Sequence, residues 1–229
     1  MNAPANPKRG RFISFEGGEG SGKSTQIRRL ADNLAGQGVR ALVTREPGGS
    51  PGAEVVRHLV LSGVGKLLGA SGEALLFAAA RDDHVHSLIA PALKQGQWVL
   101  CDRFTDSTRV YQGKLGSADI NLIRALERVT IGDLKPDLTI ILDVAAEVGL
   151  ARAAKRRGMD APDRFEAEDI NFHRRLRDAY RQVATDEPHR CVLIDATQDI
   201  EAIAKRVWSV VGSRFIELRA PQTLETTGA

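Results

Sequence analysis

The eight residues Gly17-Gly-Glu-Gly-Ser-Gly22-Lys23-Ser24 directly follow a β-rich run, Arg11–Glu16 (RFISFE), and open a helical stretch, Ser24–Gln37. The spacing GxxxxGK[ST] between a strand and a helix is a loop that wraps backbone N–H groups around a phosphate. Its glycines let those groups turn inward, and the helix N-terminus adds roughly half a positive charge. On this reading Gly17, Gly18, Glu19, Gly20, Ser21, Gly22, Lys23, Ser24 and Thr25 hold the phosphates of a nucleoside triphosphate. Lys23 bridges the β- and γ-phosphates, and Ser24 ligates Mg²⁺. A strand, such a loop and a helix in succession point to an α/β fold.

The rest of the chain agrees. Further strand candidates are Arg40–Thr44, Gln97–Cys101, Leu138–Asp143 and Arg190–Ile194. Helical patterns lie between and after them, at Ala146–Lys155 and Ile200–Val211 among others. Near-continuous apolar strands separated by helices predict a parallel five-stranded sheet covered on both faces. Between Arg45 and Gln95 an insertion holds two helices, about Ala53–Ser62 and Ser71–Leu93, the second bent or shortened by Pro91. A basic stretch between Ala154 and Arg164, broken by Gly158 and Pro162, predicts a mobile lid at about 154–165. We expect a flexible start at 1–10, one domain over 11–213 and a partly disordered tail at 214–229.

Net charge is +3, from 32 basic and 29 acidic residues, too mild to argue for nucleic-acid or membrane binding. Cys101 and Cys191 border apolar runs and have no metal-ligand spacing, so they read as buried reduced thiols. MNAPANPKRGR lacks the apolar core of a signal peptide, and a cytoplasmic protein is expected. His84 and His86 lie two apart, poor geometry for one helical face, and receive no metal.

Neither a guanine-reading N-K-x-D segment nor an ABC-type signature is present, which leaves kinases of small molecules. Four more motifs follow in order: Thr44-Arg-Glu-Pro-Gly-Gly49, Leu75-Leu-Phe77-Ala-Ala-Ala-Arg81, Asp102-Arg103-Phe104 and Ser107-Thr108-Arg-Val-Tyr111-Gln112-Gly113. Asp102 and Arg103 fall at a strand's carboxyl end, where open α/β sheets bind ligands. There an Asp can hold Mg²⁺ through water, and an Arg can fork onto an acceptor phosphate. Phe77 and Arg81 share a helical face, as do Thr108 and Gln112. On physics alone Phe77, inside LLFAAA, reads as core.

Together with the phosphate loop, the order and spacing of these motifs from about Arg11 to Val211 resemble bacterial thymidylate kinases. That resemblance implies a nucleoside-monophosphate kinase fold with a short lid, ATP and dTMP as substrates, Mg²⁺, and a homodimer. It implies that Phe77 stacks on the pyrimidine and Arg81 donates to a thymine carbonyl. It places Thr108 and Gln112 on the base's polar edge, with Ser107 beside them, and Tyr111 against the sugar where a 2′-hydroxyl would go. Arg45, Glu46, Pro47 and Arg57 are expected around the pocket between base and phosphate, and Glu19 near the acceptor's 3′-hydroxyl.

Phosphoryl transfer is catalysed mostly by positioning and electrostatics. Some family members carry the transition-state arginine in the phosphate loop and others on the lid. This loop has none, whereas the lid region has Arg152, Arg156, Arg157 and Arg164. We expect Arg164 and Arg156 or Arg157 to meet the transferring group, with Lys23, Glu19 and Arg103, and Arg152 to stack on adenine. Another nucleotide or deoxynucleoside kinase, or a P-loop switch without kinase activity, are the competing readings.

Overall fold

The computed structural model describes residues 9–215 and residue 218. Expectations for 1–8, 216–217 and 219–229 fall outside the described residues. Five strands form one sheet in the order β2-β3-β1-β4-β5, every neighbouring pair parallel. They are β1 (Phe12–Glu16), β2 (Ala41–Arg45), β3 (Trp98–Asp102), β4 (Leu138–Asp143) and β5 (Cys191–Asp195), each within a residue of the expected run. The strands β1, β3 and β4 are buried almost throughout, whereas the edges β2 and β5 are half exposed. That is the gradient a sheet covered on both faces requires.

The period-2 pleat of β1 sorts its residues. Ile13 and Phe15 pack with Ile27, Leu30 and Leu34 of α1 (Lys23–Gly36) and Val207 and Val211 of α9 (Ile200–Arg214). Phe12 packs on the other face, with Val85, Ile89, Leu93 and Phe104. Ser14 shares that second face and bonds Thr139 of β4, Oγ to Oγ1, at 2.7 Å. The same alternation sends Glu16 toward the second face, beneath α5 (Thr105–Thr108) and α8 (Ile170–Asp186).

The insertion folds as α2 (Pro51–Leu61), a 3₁₀ turn (Val64–Leu68) and α3 (Gly69–His84). Pro91 neither bends nor truncates a helix. A π-helical turn at Val85–Ile89 shifts the hydrogen-bond register, so Pro91 falls in the first turn of α4 (Ala90–Lys94), where a missing N–H does no harm. A second π-helical segment, Arg109–Leu115, continues α5, and α6 (Ile120–Ile131) comes next. The basic end of α7 (Ala146–Arg157) remains helical, because Lys155, Arg156 and Arg157 complement the negative end of the helix dipole. The helix stops at Gly158, φ +67°, so the loop expected to act as the lid spans 158–169, later than the expected 154–165.

Packed chain extends beyond both expected domain limits. Arg9 pairs with Asp137 at 3.0 Å, and Phe215 is buried edge-on to Trp98. No single described helix is long and apolar enough to cross a membrane.

Candidate active site

A cleft of about 390 Å³ opens at the carboxyl ends of β1, β2 and β3. Glu19 to Thr25 form one side. The loop is pressed against α7: a Cβ on Gly20 would meet the Gly149 carbonyl oxygen at 1.9 Å, and one on Gly149 would meet the Glu19 carbonyl oxygen at 2.4 Å. Two backbones approach so closely only where both residues lack side chains. Lys23 Nζ donates to the carbonyls of Gly17 and Gly18 at 3.0 Å each. Burial, then the neighbouring Arg103, pull the Lys23 ammonium below the usual lysine range.

Ser24 Oγ donates to Asp102 Oδ2 at 2.8 Å, bringing a loop hydroxyl and a β3 carboxylate together across the cleft. These two oxygens suit Mg²⁺, which takes few protein ligands and completes its shell with water and phosphate oxygens. Among the described residues no cluster of three or more His, Cys, Asp or Glu side chains is arranged to hold a metal alone.

Arg103 links the loop to the opposite wall. Its backbone sits at φ +69°, the left-handed region unusual for a residue with a side chain. Its guanidinium donates to Glu19 at 2.5 Å, Tyr180 Oη at 3.0 Å and Ser107 Oγ at 3.3 Å. Beneath it, fully buried Glu16 accepts from Phe104 N at 2.8 Å, Ser107 Oγ at 2.7 Å and Tyr180 Oη at 3.0 Å. Burial and the adjacent Asp106 carboxylate push the Glu16 carboxyl up to about 7. Burial also opposes ionisation of Glu19, but Arg103, Lys23, Arg156 and His173 together hold it below the usual carboxylate range.

The far end of the cleft is lined by Phe77, Arg81, Thr108, Tyr111 and Gln112. Phe77 is half-buried on the wall, not in the core that LLFAAA suggests on physics alone. Arg81 is buried, paired with Glu46 at 2.8 Å and donating to Thr108 Oγ1 at 3.0 Å. His84 bridges Thr44 at 2.7 Å and Glu46 at 3.2 Å, so this histidine braces the wall. Tyr111 and Gln112 lie in the π-helical segment, a widened turn frequent at functional sites. The Tyr111 ring meets Phe165 of the lid edge-on, centroids 5.0 Å apart. Pro47, Arg45 and Arg57 also border the cleft, Arg45 paired with Glu54 at 2.8 Å and Arg57 donating to the Pro47 carbonyl at 2.6 Å.

The lid arginines separate. Arg156 borders the cleft and feels the Glu19 charge. Arg157 does not border it; Glu166 and the Asp160 carbonyl hold its guanidinium. Arg164, expected at the transferring phosphoryl group, is likewise off the cleft wall, pulled away by an ion pair with Glu73 of α3. Arg152 donates to the Ala196 carbonyl beyond β5 at 2.8 Å, also off the wall. Gly17 and Gly18, which open the loop, do not line the cleft, and their carbonyls accept from Lys23.

Sequence reasoning missed Glu16, Glu73, Phe165 and Tyr180. Glu16 had a local signal, a carboxylate ending an apolar strand one residue before the loop. Tyr180 had none, because its hydrogen-bond partners are 73 or more residues away.

Residues 15–207 match the family model described as thymidylate kinase. The chain belongs to the thymidylate kinase family. It is 71% identical over 212 residues to a thymidylate kinase of Nitrobacter winogradskyi, covering 93% of this chain and 92% of that protein. It is 69% identical over 208 residues to one of Bradyrhizobium diazoefficiens, covering 91% of each. A crystal structure of thymidylate kinase from Ehrlichia chaffeensis superposes with a TM-score of 0.71 at 37% identity, over 89% of this chain and 98% of that one. The five-stranded parallel sheet with its phosphate loop at the end of β1 is thus the thymidylate kinase architecture.

Proposed function

We infer that this chain transfers the γ-phosphoryl group of ATP to dTMP, giving ADP and dTDP, in the supply of dTTP. The observation that carries the inference is one continuous cleft. Its phosphate loop faces, across Arg103 and Glu19, a wall built from Phe77, Arg81, Thr108, Tyr111 and Gln112. That wall offers an aromatic face, fixed polar groups and a ring crowding the sugar position, which together suit a deoxypyrimidine monophosphate.

Backbone N–H groups of the loop and Lys23 hold the donor's phosphates. Ser24 and Asp102 would hold Mg²⁺, which supplies neutralisation of the bridging phosphate oxygens when bound. Arg103 turns its fork onto the acceptor phosphate, and Glu19 orients that fork. An acceptor oxygen attacks the γ-phosphorus in line. No general base is required, because a phosphomonoester with a second pKa of about 6 is largely ionised near neutrality. Of the lid-side arginines, Arg156 suits the transferring oxygens best, bordering the cleft while its side chain remains 64% exposed and paired with Glu166 at 3.2 Å. Closure of the lid excludes water and suppresses hydrolysis.

The working form is a cytoplasmic homodimer. Exposed Val55, Leu59, Val64, Leu67, Leu68 and Leu75, all on α2, α3 and the turn between them, support a seam there, and two buried free thiols suit a reducing compartment.

Coupled ADP release with Mg·ATP and dTMP, dUMP, ribo-TMP, dCMP, AMP or GMP tests the substrate. The expected result is strong preference for dTMP. Preference for another monophosphate overturns the pocket reading, and no turnover with any of them overturns the kinase reading.

A further inference from the structure

Gln112 borders the cleft but makes its hydrogen bond away from it. Its Nε2 donates to Glu73 Oε2 at 3.4 Å, and Glu73, 6% exposed on α3, does not border the cleft. An ionised carboxylate only accepts hydrogen bonds, so the amide must turn its NH₂ to Glu73 and leave Oε1 for the cleft. Among the described residues Oε1 has no donor. Glu73 is held in turn by Arg164 of the lid loop, which occupies the carboxylate's other oxygen. The Arg164 guanidinium also lies over the Phe165 ring, 4.4 Å from Cζ to the centroid, and that ring packs on Tyr111. Two consecutive lid residues therefore grip two consecutive residues of the cleft wall, Arg164 through Glu73.

We propose that Glu73 is a positioning residue that fixes the Gln112 amide with its carbonyl toward the base, making the site selective for thymine over cytosine. The proposal rests on the reading of Gln112 as a contact to the base edge. Thymine presents an N–H at N3 beside a carbonyl oxygen at C4, whereas cytosine presents a bare nitrogen beside an amino group. A wall offering one acceptor, Gln112 Oε1, near one obligate donor, Arg81, matches the first pattern and opposes the second at both atoms. Without Glu73 the amide is free to flip, and its NH₂ end can then serve cytosine N3. Arg164 donates to the Glu73 oxygen that Gln112 does not use, so the lid loop fixes the carboxylate that orients the amide.

The test is the ratio of kcat/KM for dTMP to that for dCMP in wild type, Glu73→Ala, Glu73→Gln, Gln112→Ala and the Glu73→Ala/Gln112→Ala double variant. A single net hydrogen bond predicts that Glu73→Ala lowers the ratio roughly three- to tenfold, mainly through a higher KM for dTMP. Gln112→Ala lowers it at least as far, and the double variant matches Gln112→Ala alone, because Glu73 acts through the amide. Glu73→Gln preserves side-chain size but offers both a donor and an acceptor, so it also lowers the ratio; it decides the matter should Glu73→Ala not fold. An unchanged ratio in a folded Glu73 variant while Gln112→Ala lowers it overturns the Glu73 assignment alone. An unchanged ratio in Gln112→Ala overturns the base-edge reading and the proposal with it. A purely structural role for the Glu73–Arg164 pair would lower the melting temperature and leave the ratio where it was.

Discussion

The acceptor wall and the lid loop handle their charges in opposite ways. On the wall and beneath it, Arg81, Glu46, Thr108, Gln112 and the underlying Glu16 are all buried, and each has a hydrogen-bond partner on another element. On the lid side, Arg156 is 64% exposed and rests on Glu166, and Met159 has no covering at all. The wall spends its charges on fixing its own geometry, so recognition of the acceptor is preorganised. Arg156 keeps a positive charge in water at the mouth of the cleft, where the proposed lid closure would deliver it. Substitutions on the wall should therefore damage stability and activity together, and those on the mobile side activity alone.

The largest expected effect tests the second half of that contrast. Arg156→Ala should lower kcat about 10³-fold, with little change in KM for dTMP. Its melting temperature should stay near wild type, since an exposed ion pair contributes at most about 1 kcal/mol. Arg157→Ala, whose guanidinium is already held by Glu166, should lose less than about tenfold in kcat. Steady-state kinetics beside thermal melts read both quantities, and a wild-type kcat in Arg156→Ala would break the comparison.

Arg81→Ala tests the first half. It leaves the buried Glu46 carboxylate with His84 alone among the described residues and removes the donor to Thr108. Breaking such a pair costs roughly 3 kcal/mol of stability, readable in urea unfolding, and KM for dTMP should rise in parallel. Unchanged unfolding with a raised KM would mean that the wall holds its shape without this pair, and the two regions would then differ less than their burial suggests.

A smaller effect belongs to the contact where α7, which leads into the lid loop, touches the phosphate loop. Gly149 sits within a helix, where glycine is roughly 1 kcal/mol less favourable than alanine. The crowding of the Glu19 carbonyl explains its presence. Gly149→Ala should gain helix propensity yet displace the loop, raising KM for ATP about tenfold while KM for dTMP stays nearly constant. Equal changes in both constants would show that the loop and the wall move as one body.

Local pattern carried most of the architecture. Each strand was legible because its apolar run is flanked by polar or turn residues, and the phosphate loop because its glycines serve one backbone geometry. The lid boundary was misjudged because Gly158, not the preceding run of basic residues, ends α7, and those residues favour a helix C-terminus. Pro91 misled because a π turn upstream absorbs it. Among the expected residues the sequence could not sort Arg156 from Arg157 and Arg164, since their fates depend on which carboxylates fold against them. Glu166 is nine residues from Arg157, but Glu73 is 91 from Arg164. Glu16, Glu73 and Tyr180 escaped for the same reason: their partnerships exist only once the sheet has brought distant segments together.

Glu16 gives the smallest effect and the finest resolution of the contrast. The groups facing it are the Asp106 carboxylate, the Arg103 guanidinium, the Ser107 and Tyr180 hydroxyls and the Phe104 N–H. Burial and Asp106 outweigh the rest and raise the carboxyl from an ordinary 4.5 to about 7. Between those values the folded chain holds a proton that the unfolded chain has released, so this group's contribution to stability falls as pH rises across the window. Glu16→Gln removes the titration while leaving groups that the rotatable hydroxyls can still satisfy. Its melting temperature should gain on wild type between about pH 4.5 and 7, by an amount on the order of a few degrees, and the difference should level off above that range. Arg156→Ala leaves the Glu16 carboxyl and its surroundings in place, so its melting temperature should keep the pH dependence of wild type. Parallel melting curves for Glu16→Gln and wild type would mean that the carboxylate stays ionised, with Arg103 and its three hydrogen-bond donors sufficient to hold the charge. The wall would then be fixed by a permanent anion beneath Arg103, and the difference between the two regions would lie in mobility alone.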